Sequence, residues 1–563
     1  MPPEAPTPAG GTGQVPAEVQ FDLSTVFDTL VASVGARECV VWKDRRLSYA
    51  QLAERSRRLG SYLHGKGLGV RTGRDGLAGH ESGQDHVALA LYNGNEYLES
   101  MLGSYRARVA PFNVNYRYVG EELRYLFNDA RPRALIFHSS LAPTLAEVLA
   151  TLDDPPDVLL QVDDDSGHAL LPGAVSYEEA LAASSPDGPP VEPSPDDLYI
   201  LYTGGTTGMP KGVLWRQHDI FMAAMGGRTI GTWEAVTSYE GITERVESGF
   251  PLKLLLLPPL MHGAAQWAGF MLMAQGATII FPDNPRRVDP DDVWRTVERE
   301  QANTMSVVGD AVLRPLVMQL DKGTYDLSSF FAIGNGGAPL TPAVRELALA
   351  RLPNLLISDS AGSSETGAQM HAVSGEGGAV GDFLPGPGTV VVDESFSEVL
   401  ERGHDGIGWL AQTGNVPLGY LGDAEKTART FPVVAGTRYS IPGDRARHLA
   451  DGQITLLGRD SVTVNSGGEK IFVEEVERAI TGHAAVADVV VTGRPSERWG
   501  QEVVAIVQLA EGAETTAASI TDHASGSIAR YKLPKDVIFV EVIQRPPSGK
   551  ADYRWAAEQA QKG

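Results

Sequence analysis

From Phe21 onward, apolar positions recur in two alternating rhythms. In LSYAQLAERSRRLGSYLHGKG, Leu52, Leu59 and Leu63 share one stripe at helical spacing, and Ser48 stands where an N-cap belongs. DPDDVWRTVEREQ has the same helical character. Between such stretches lie short apolar runs: VALALYNG, RALIF, DVLLQV, LYILYT, LKLLLLP and ATIIFP. Strands apolar at nearly every position are buried on both faces, the habit of parallel sheets covered by crossover helices. The alternation predicts an α/β fold with stacked, mostly parallel sheets. The polar, Gly-rich RTGRDGLAGHESGQDH (71–86) reads as an exposed insertion, and the Pro/Gly/Ala-rich residues 1–18 as a flexible tail.

Near residue 458 the rhythm changes. DGQITLLGRDSVTVNSGGEKIF reads as strand, turn and strand with a Gly-rich tip. EEVERAITGH follows as a helix, VADVVVTG and VVAIVQLA as strands, and ITDHASGSIARYK as a helix. This β-α-β-β-α order predicts a small α+β domain over 458–563, after a large domain over 19–457.

Composition narrows the function. The 563 residues carry 47 basic and 71 acidic side chains, a net charge of −24, which opposes binding to a polyphosphate backbone such as nucleic acid. Hydrophobic residues at 42% suit a chain that buries large cores. Cys39 is the single cysteine, so neither an internal disulfide nor a cysteine zinc site is available. The N-terminus lacks the basic and apolar regions of a signal peptide. The best membrane-span candidate, 252–281, is interrupted by Lys253, Pro258, Pro259 and His262. A cytoplasmic protein without a membrane span is expected.

The most informative stretch follows the LYILY strand: Thr203-Gly-Gly-Thr-Thr-Gly-Met-Pro-Lys-Gly212. Glycines let successive backbone N–H groups turn toward one anion, threonines add hydroxyl donors, and Lys211 adds charge, a combination suited to a triphosphate. The G-x-x-x-x-G-K-[ST] spacing of a P-loop is absent. So are G-x-S-x-G, H-E-x-x-H (His80-Glu81 is followed by His86 at the wrong interval) and a G-x-G-x-x-G after a strand.

LYTGGTTGMPKGV resembles the phosphate loop of the AMP-forming, adenylate-forming superfamily, which includes acyl-CoA synthetases, luciferases and peptide-synthetase adenylation domains. Further segments resemble its motifs in order: PPLMHGAAQ, GNGGAPL, DSAGSSETG, YSIPGD, GRDSVTVNSGGEKIFVEEVE, YKLPK and RPPSGKADYRW. The resemblance covers roughly residues 21–556. NVNYRYVGEELRYLF, VVGDAVLRPL and GNVPLGYLGDAEKTARTF are similar to actinobacterial long-chain and steroid side-chain acyl-CoA synthetases.

The resemblance implies ATP, Mg²⁺ and CoA as the small molecules, with a carboxylic acid as substrate. ATP would be held by Thr203, Gly204, Gly205, Thr206, Thr207, Gly208 and Lys211, by the adenine wall Gly336, Gly337, Ala338, Asp359 and Ser360, and by Ser364, Asp444 and Arg459. Glu365 would bind the metal, and Thr206, His262, Glu365 and Lys550 would carry the chemistry, with Lys550 also on the ATP. His262, Gly263 and Trp267 would border the acid pocket, Gly467, Gly468 and Lys470 the CoA path, and Asp460 and Ser461 the hinge of a mobile small domain. On the residues alone, His262 fits a satisfied core histidine equally well, and Gly467-Gly468 fits a plain hairpin turn. Gly204, Ala361 and Ser461 depart from the superfamily pattern, and Trp267 adds bulk in or beside the acid pocket. A non-CoA acceptor or acid therefore stays open: an amine, a carrier-protein thiol, or nitrite as in diazotases. So does a non-catalytic adenylate-binding scaffold.

Overall fold

The computed structural model describes residues 19–562 apart from 119, 204–208, 230, 374–381, 460–461, 467–468, 497–498, 529 and 546–549; at 459, 465, 469 and 470 it describes the backbone only. Among the described residues the principal sheets have thirteen, eight and five strands.

In the two larger sheets a parallel centre is flanked by antiparallel strands. The thirteen-stranded sheet pairs Lys253–Leu256 in parallel with both Thr278–Phe281 and Thr304–Val307, then continues through Ala332–Gly336 to Leu356–Ser363. Beyond Leu356–Ser363 every pairing is antiparallel, ending with Thr389–Val392. The eight-stranded sheet is parallel from Ala174–Ser176 through Ala134–His138, His86–Ala90 and Ala110–Asn113 to Leu198–Thr203. Lys211–Arg216 and Gly419–Tyr420 then close it antiparallel.

Period-two alternation along the strands builds the layers. Leu254, Leu256, Ile279, Val87 and Leu89 enter one core, filled by the helices Leu23–Val34, Tyr49–Gly65, Asn95–Arg106, Gln217–Ala224 and Gly263–Met273 between the two sheets. Leu255, Leu257 and Ile280 face the other way, against Pro290–Glu300, Gly309–Gln319 and Pro342–Arg351. Ala88 and Ala90 face Gly120–Ala130 and Ala142–Leu149. The caps follow local chemistry: Ser48 and Gln51 form a reciprocal capping box, and Asp289 precedes Pro290 at the first helical turn.

Two buried asparagines staple the sheets together where the strands end. Asn113 donates to the carbonyls of Tyr202 (2.8 Å) and Met261 (2.7 Å), while Asn93 donates to Pro258 O (3.0 Å) and accepts from Leu260 N–H (2.7 Å). The carboxyl ends of strands in both sheets thus open on one side, where open α/β folds bind ligands.

The third sheet begins at Val464–Ser466 and includes the long antiparallel pair Val486–Ser496 and Gly500–Leu509, with Asp536–Val540 parallel to the latter. The strand Ile454–Arg459 before it still pairs with Asp444–His448 of the largest sheet, so the large-sheet ladder runs through residues 458 and 459. Among the described residues no helix is long and apolar enough to cross a membrane.

Candidate active site

Thr203 ends its strand directly opposite Lys211, the first residue of the next one, so the Gly- and Thr-rich segment connects two hydrogen-bonded strand ends. Gly204, Gly205, Thr206, Thr207 and Gly208 lie outside the described residues. Lys211 Nζ sits 2.9 Å from Asp423 Oδ2, and this contact holds its ammonium above the ordinary lysine range. Asp423 also accepts from Lys426 N–H (3.0 Å), capping the helix Ala424–Thr430.

Glu365 is braced through both its backbone and its carboxylate. Trp215 Nε1 donates to Ser364 O (2.9 Å), and Ser440 Oγ donates to Glu365 O (2.6 Å), fixing the backbone on either side of the peptide. Gly367 has φ +73, and a Cβ there would lie 2.8 Å from Ala223 Cβ, so only glycine fits the turn. The carboxylate accepts from Tyr420 OH at Oε1 (2.7 Å) and Ser364 Oγ at Oε2 (2.7 Å). Ser364 Oγ also stands 3.5 Å from Thr203 Oγ1, which joins the metal candidate to the phosphate segment. Lys426 Nζ lies 4.1 Å over the Tyr420 ring; burial lowers its pKa, and neighbouring Lys211 adds to that while Glu365 opposes it.

These oxygens are hard donors suited to Mg²⁺. Among the described residues no three His, Cys, Asp or Glu side chains cluster as a metal cage. One carboxylate beside the candidate phosphate segment fits an ion that completes its shell with water and substrate phosphates.

Gly336 pairs with Ser360, and Asn335 with Asp359, in parallel register. Gly337 follows with φ +82. The Asp359 carboxylate is engaged inside this wall, by Arg345 and by Asn335 Nδ2 (2.8 Å). Asn335 Nδ2 also reaches Ala338 O at 3.0 Å. Asp444 opens its strand opposite Arg459, and the preceding Ser440 is the residue that braces Glu365, so the ribose candidate and the metal candidate share one wall. The Arg459 side chain lies outside the described residues.

His262 immediately precedes the helix Gly263–Met273, without capping it through its side chain. Its Nε2 is buried with no protein hydrogen-bond partner. Burial first, then the positive charges of Lys550 and Arg117, depress its pKa to about 4, so the imidazole is neutral at physiological pH. Lys550, exposed in the C-terminal segment, lies within electrostatic reach of His262, 288 positions away in sequence. Gly263 is hemmed in: a Cβ would lie 2.6 Å from Leu201 Cδ2 and 3.3 Å from the Trp267 ring. Trp267 is half-buried against the inter-sheet core. Asp460, Ser461, Gly467, Gly468 and the Lys470 side chain lie outside the described residues. The hairpin strands Val464–Ser466 and Glu469–Ile471 flank the two glycines.

Sequence reasoning missed Tyr420, Asp423 and Lys426. All three sit within GYLGDAEK, a stretch that drew notice only as subgroup wording. It also missed Asn93, Asn113, Arg117 and Arg345, isolated polar residues that no local spacing marks.

The family model "AMP-binding enzyme" matches residues 27–421, and "AMP-binding enzyme C-terminal domain" matches 475–550. The chain is 57% identical over 544 residues to the medium-chain acyl-CoA ligase Mig of Mycobacterium avium, covering 96% of this chain and 99% of that one. It is 38% identical over 550 residues to a Mycobacterium tuberculosis medium/long-chain-fatty-acid–CoA/3-oxocholest-4-en-26-oate–CoA ligase, covering 96% and 97%. Among solved structures, the anthranilate CoA ligase AuaEII with anthranoyl-AMP superposes with a TM-score of 0.80 at 20% identity, covering 97% of this chain and 98% of that one. That likeness speaks for the fold.

Proposed function

The chain belongs to the AMP-binding enzyme family, and from that premise we propose that it is an acid–CoA ligase for medium-length fatty acids, using the residues gathered around Glu365, His262 and Lys550. The reaction activates a carboxylic acid with ATP and passes the acyl group to CoA. The acid class follows the name of the Mycobacterium avium relative.

In the first half-reaction, the 203–211 segment and Lys211 hold the triphosphate, with adenine against 336–338 and 359–360 and ribose on Asp444. Glu365, oriented by Tyr420 and Ser364, holds Mg²⁺, which supplies positive charge to phosphate oxygens. Neutral His262 and the ammonium of Lys550 border the place where carboxylate and α-phosphate meet. Lys550 stabilises the negative charge that develops there as the acyl-adenylate forms and pyrophosphate leaves. In the second half-reaction the CoA thiolate attacks the adenylate carbonyl and AMP departs, by a path along 467–468 and Lys470.

The observation that carries this reading is the Glu365 carboxylate, held by Tyr420 and Ser364 and joined through Ser364 Oγ to Thr203, with Lys550 within electrostatic reach of the buried His262. The test is product identification by mass spectrometry with ATP, CoA and a panel of short, medium, long and steroid acids plus nitrite. Acyl-CoA and AMP, formed best from medium-length acids, are expected. Adenylate without thioester in the presence of CoA would overturn the acceptor, and preference for another acid class would overturn the substrate.

A further inference from the structure

Beside the strand Gly367–Val373, which leads away from Glu365, lies a cavity of about 150 Å³ whose lining includes Met222, Arg228, Trp233, Thr366, Ala368 and Asn415. Among the described lining residues Arg228 is the only charged one. Its guanidinium donates to Trp233 O at 3.2 Å, and no carboxylate stands among the described lining residues. The Trp233 indole Nε1 is buried and donates to no protein group. Its backbone sits at φ +59, a conformation that bulky residues adopt only under strain. The ring is held there by close fit: a Cβ at Gly386 would lie 3.0 Å from Trp233 Cζ2, and His371 tilts against the ring at 5.6 Å. The other amides nearby are already committed, Gln412 Nε2 to Pro387 O and Thr413 O, and Asn415 Nδ2 to Asp219. Among the described side chains of the lining, the donors left to meet a ligand are those of Arg228 and Trp233.

Two connections lead from this cavity to the acid site. Thr366 follows Glu365 directly. On the helix Gly263–Met273, Ala264, Trp267, Ala268 and Met271 form a stripe that the fold leaves at least partly open. At Met271 the stripe reaches Gly226, where a Cβ would come 3.4 Å from Met271 Cα, two residues before Arg228. At 1.5 Å per residue, His262 and Met271 are about 13 Å apart along the helix, the reach of an extended medium-length chain.

We propose that this cavity is the far end of the acid pocket and binds a carboxylate at the ω end of the substrate, so that medium-length dicarboxylic acids are substrates of the enzyme. The inference rests on the reading that carboxylic acids are activated beside His262 and Lys550. A guanidinium without a partner carboxylate in its cavity favours an anionic oxygen, and the indole N–H suits a second lone pair on the same group.

Pyrophosphate release is measured with decanoic acid, its ω-hydroxy derivative and the dicarboxylic acid of equal length, for wild type, Arg228→Met, Arg228→Lys and Trp233→Phe. Arg228→Met should lower kcat/KM for the dicarboxylic acid relative to decanoic acid by about tenfold or more, as loss of a charge-assisted contact implies. Arg228→Lys should recover part of it, which a folding defect would not allow. Trp233→Phe should lower the ratio for both oxygenated acids. If the ω-hydroxy acid responds to Arg228→Met as strongly as the dicarboxylic acid, the anionic preference is wrong. Ratios equal in wild type and all variants would overturn the cavity assignment while leaving acid activation intact. Absence of pyrophosphate release from every acid would overturn the underlying reading, and the inference with it.

Discussion

Tyr420→Phe removes the hydrogen bond to Glu365 in the centre of the site. The phenol donates to Glu365 Oε1 at 2.7 Å, leaving Ser364 Oγ as the other donor to the carboxylate. Tyr420 is buried, and its ring also carries the Lys426 ammonium at 4.1 Å and a tilted contact with Phe431 at 5.8 Å. Phenylalanine keeps the ring and both contacts, so the substitution removes the hydroxyl with little change in packing. A hydrogen bond to a charged acceptor contributes about 1.5–3 kcal/mol. If that energy serves to aim the carboxylate at Mg²⁺ in the transition state, adenylation slows by roughly tenfold to a hundredfold. ATP–pyrophosphate exchange followed against Mg²⁺ concentration reads this directly, with both a lower maximum and a higher half-saturating Mg²⁺ expected. A double-mutant cycle with Glu365→Gln adds a second check: losses that act through one carboxylate are not additive. Unchanged exchange and unchanged Mg²⁺ dependence would refute the role of the bond. Fully additive losses would mean that Tyr420 acts on something other than Glu365.

Lys550→Ala should abolish adenylate formation yet leave thioester formation from supplied acyl-adenylate largely intact, measured as two separate half-reactions; equal losses in both would defeat the assignment. Trp267→Ala should raise kcat/KM for bulkier acids relative to slender ones. If the indole is purely core, truncation instead destabilises the fold by about 3–5 kcal/mol and lowers activity on every acid alike, which a melting curve alongside the acid series detects. Stability should fall on acidification from about pH 6.5 to pH 4. His138 and His262 are both depressed to about 4, chiefly by burial, so the unfolded chain binds more protons than the folded one across that window. The share of His138 is on the order of 3 kcal/mol at most. Its Nδ1 accepts Tyr92 N–H at 3.0 Å, which protonation at that nitrogen would break. His138→Gln should flatten the pH dependence of denaturant midpoints, and an unflattened curve would place the proton uptake elsewhere.

What the sequence made legible was what local periodicity and local order encode. The Ser48 cap, the strand runs around Leu254 and Leu135, and the helix 290–300 all rest on spacing of a few residues. So do the glycines flanking Thr203 and Glu365. What stayed hidden depends on partners far apart. Asn113 meets Tyr202 and Met261 across 89 and 148 positions, Tyr420 meets Glu365 across 55, and Lys211 meets Asp423 across 212. A single polar residue in an apolar neighbourhood has no periodic signature, so its function emerges only when topology supplies the partner. Asp359 shows the converse. Motif order made it a candidate to meet adenine, but its carboxylate is taken up by Arg345 and Asn335, so under the proposed reading a base would meet the backbone of that strand.

The same long-range pairs bear on how an acidic protein would gather a triphosphate. A net charge of −24 repels ATP at distance, but at physiological ionic strength charges beyond about 8 Å are largely screened, so the cations at the site decide. Under the proposed reading these include Lys211 and Lys426. Both are ordered by Asp423, which holds the Lys211 ammonium at 2.9 Å and caps the helix that presents Lys426 above Tyr420. One carboxylate thus fixes one ammonium directly and anchors the start of the helix that presents the other before the phosphates arrive. Its own charge weakens the attraction somewhat, yet two free lysine chains would have to lose rotamer freedom on binding, on the order of 2 kcal/mol each. Ordering them within the fold moves that entropy loss from the binding step to the folding step. A site whose positive charges are already in place stabilises developing negative charge without further reorganisation.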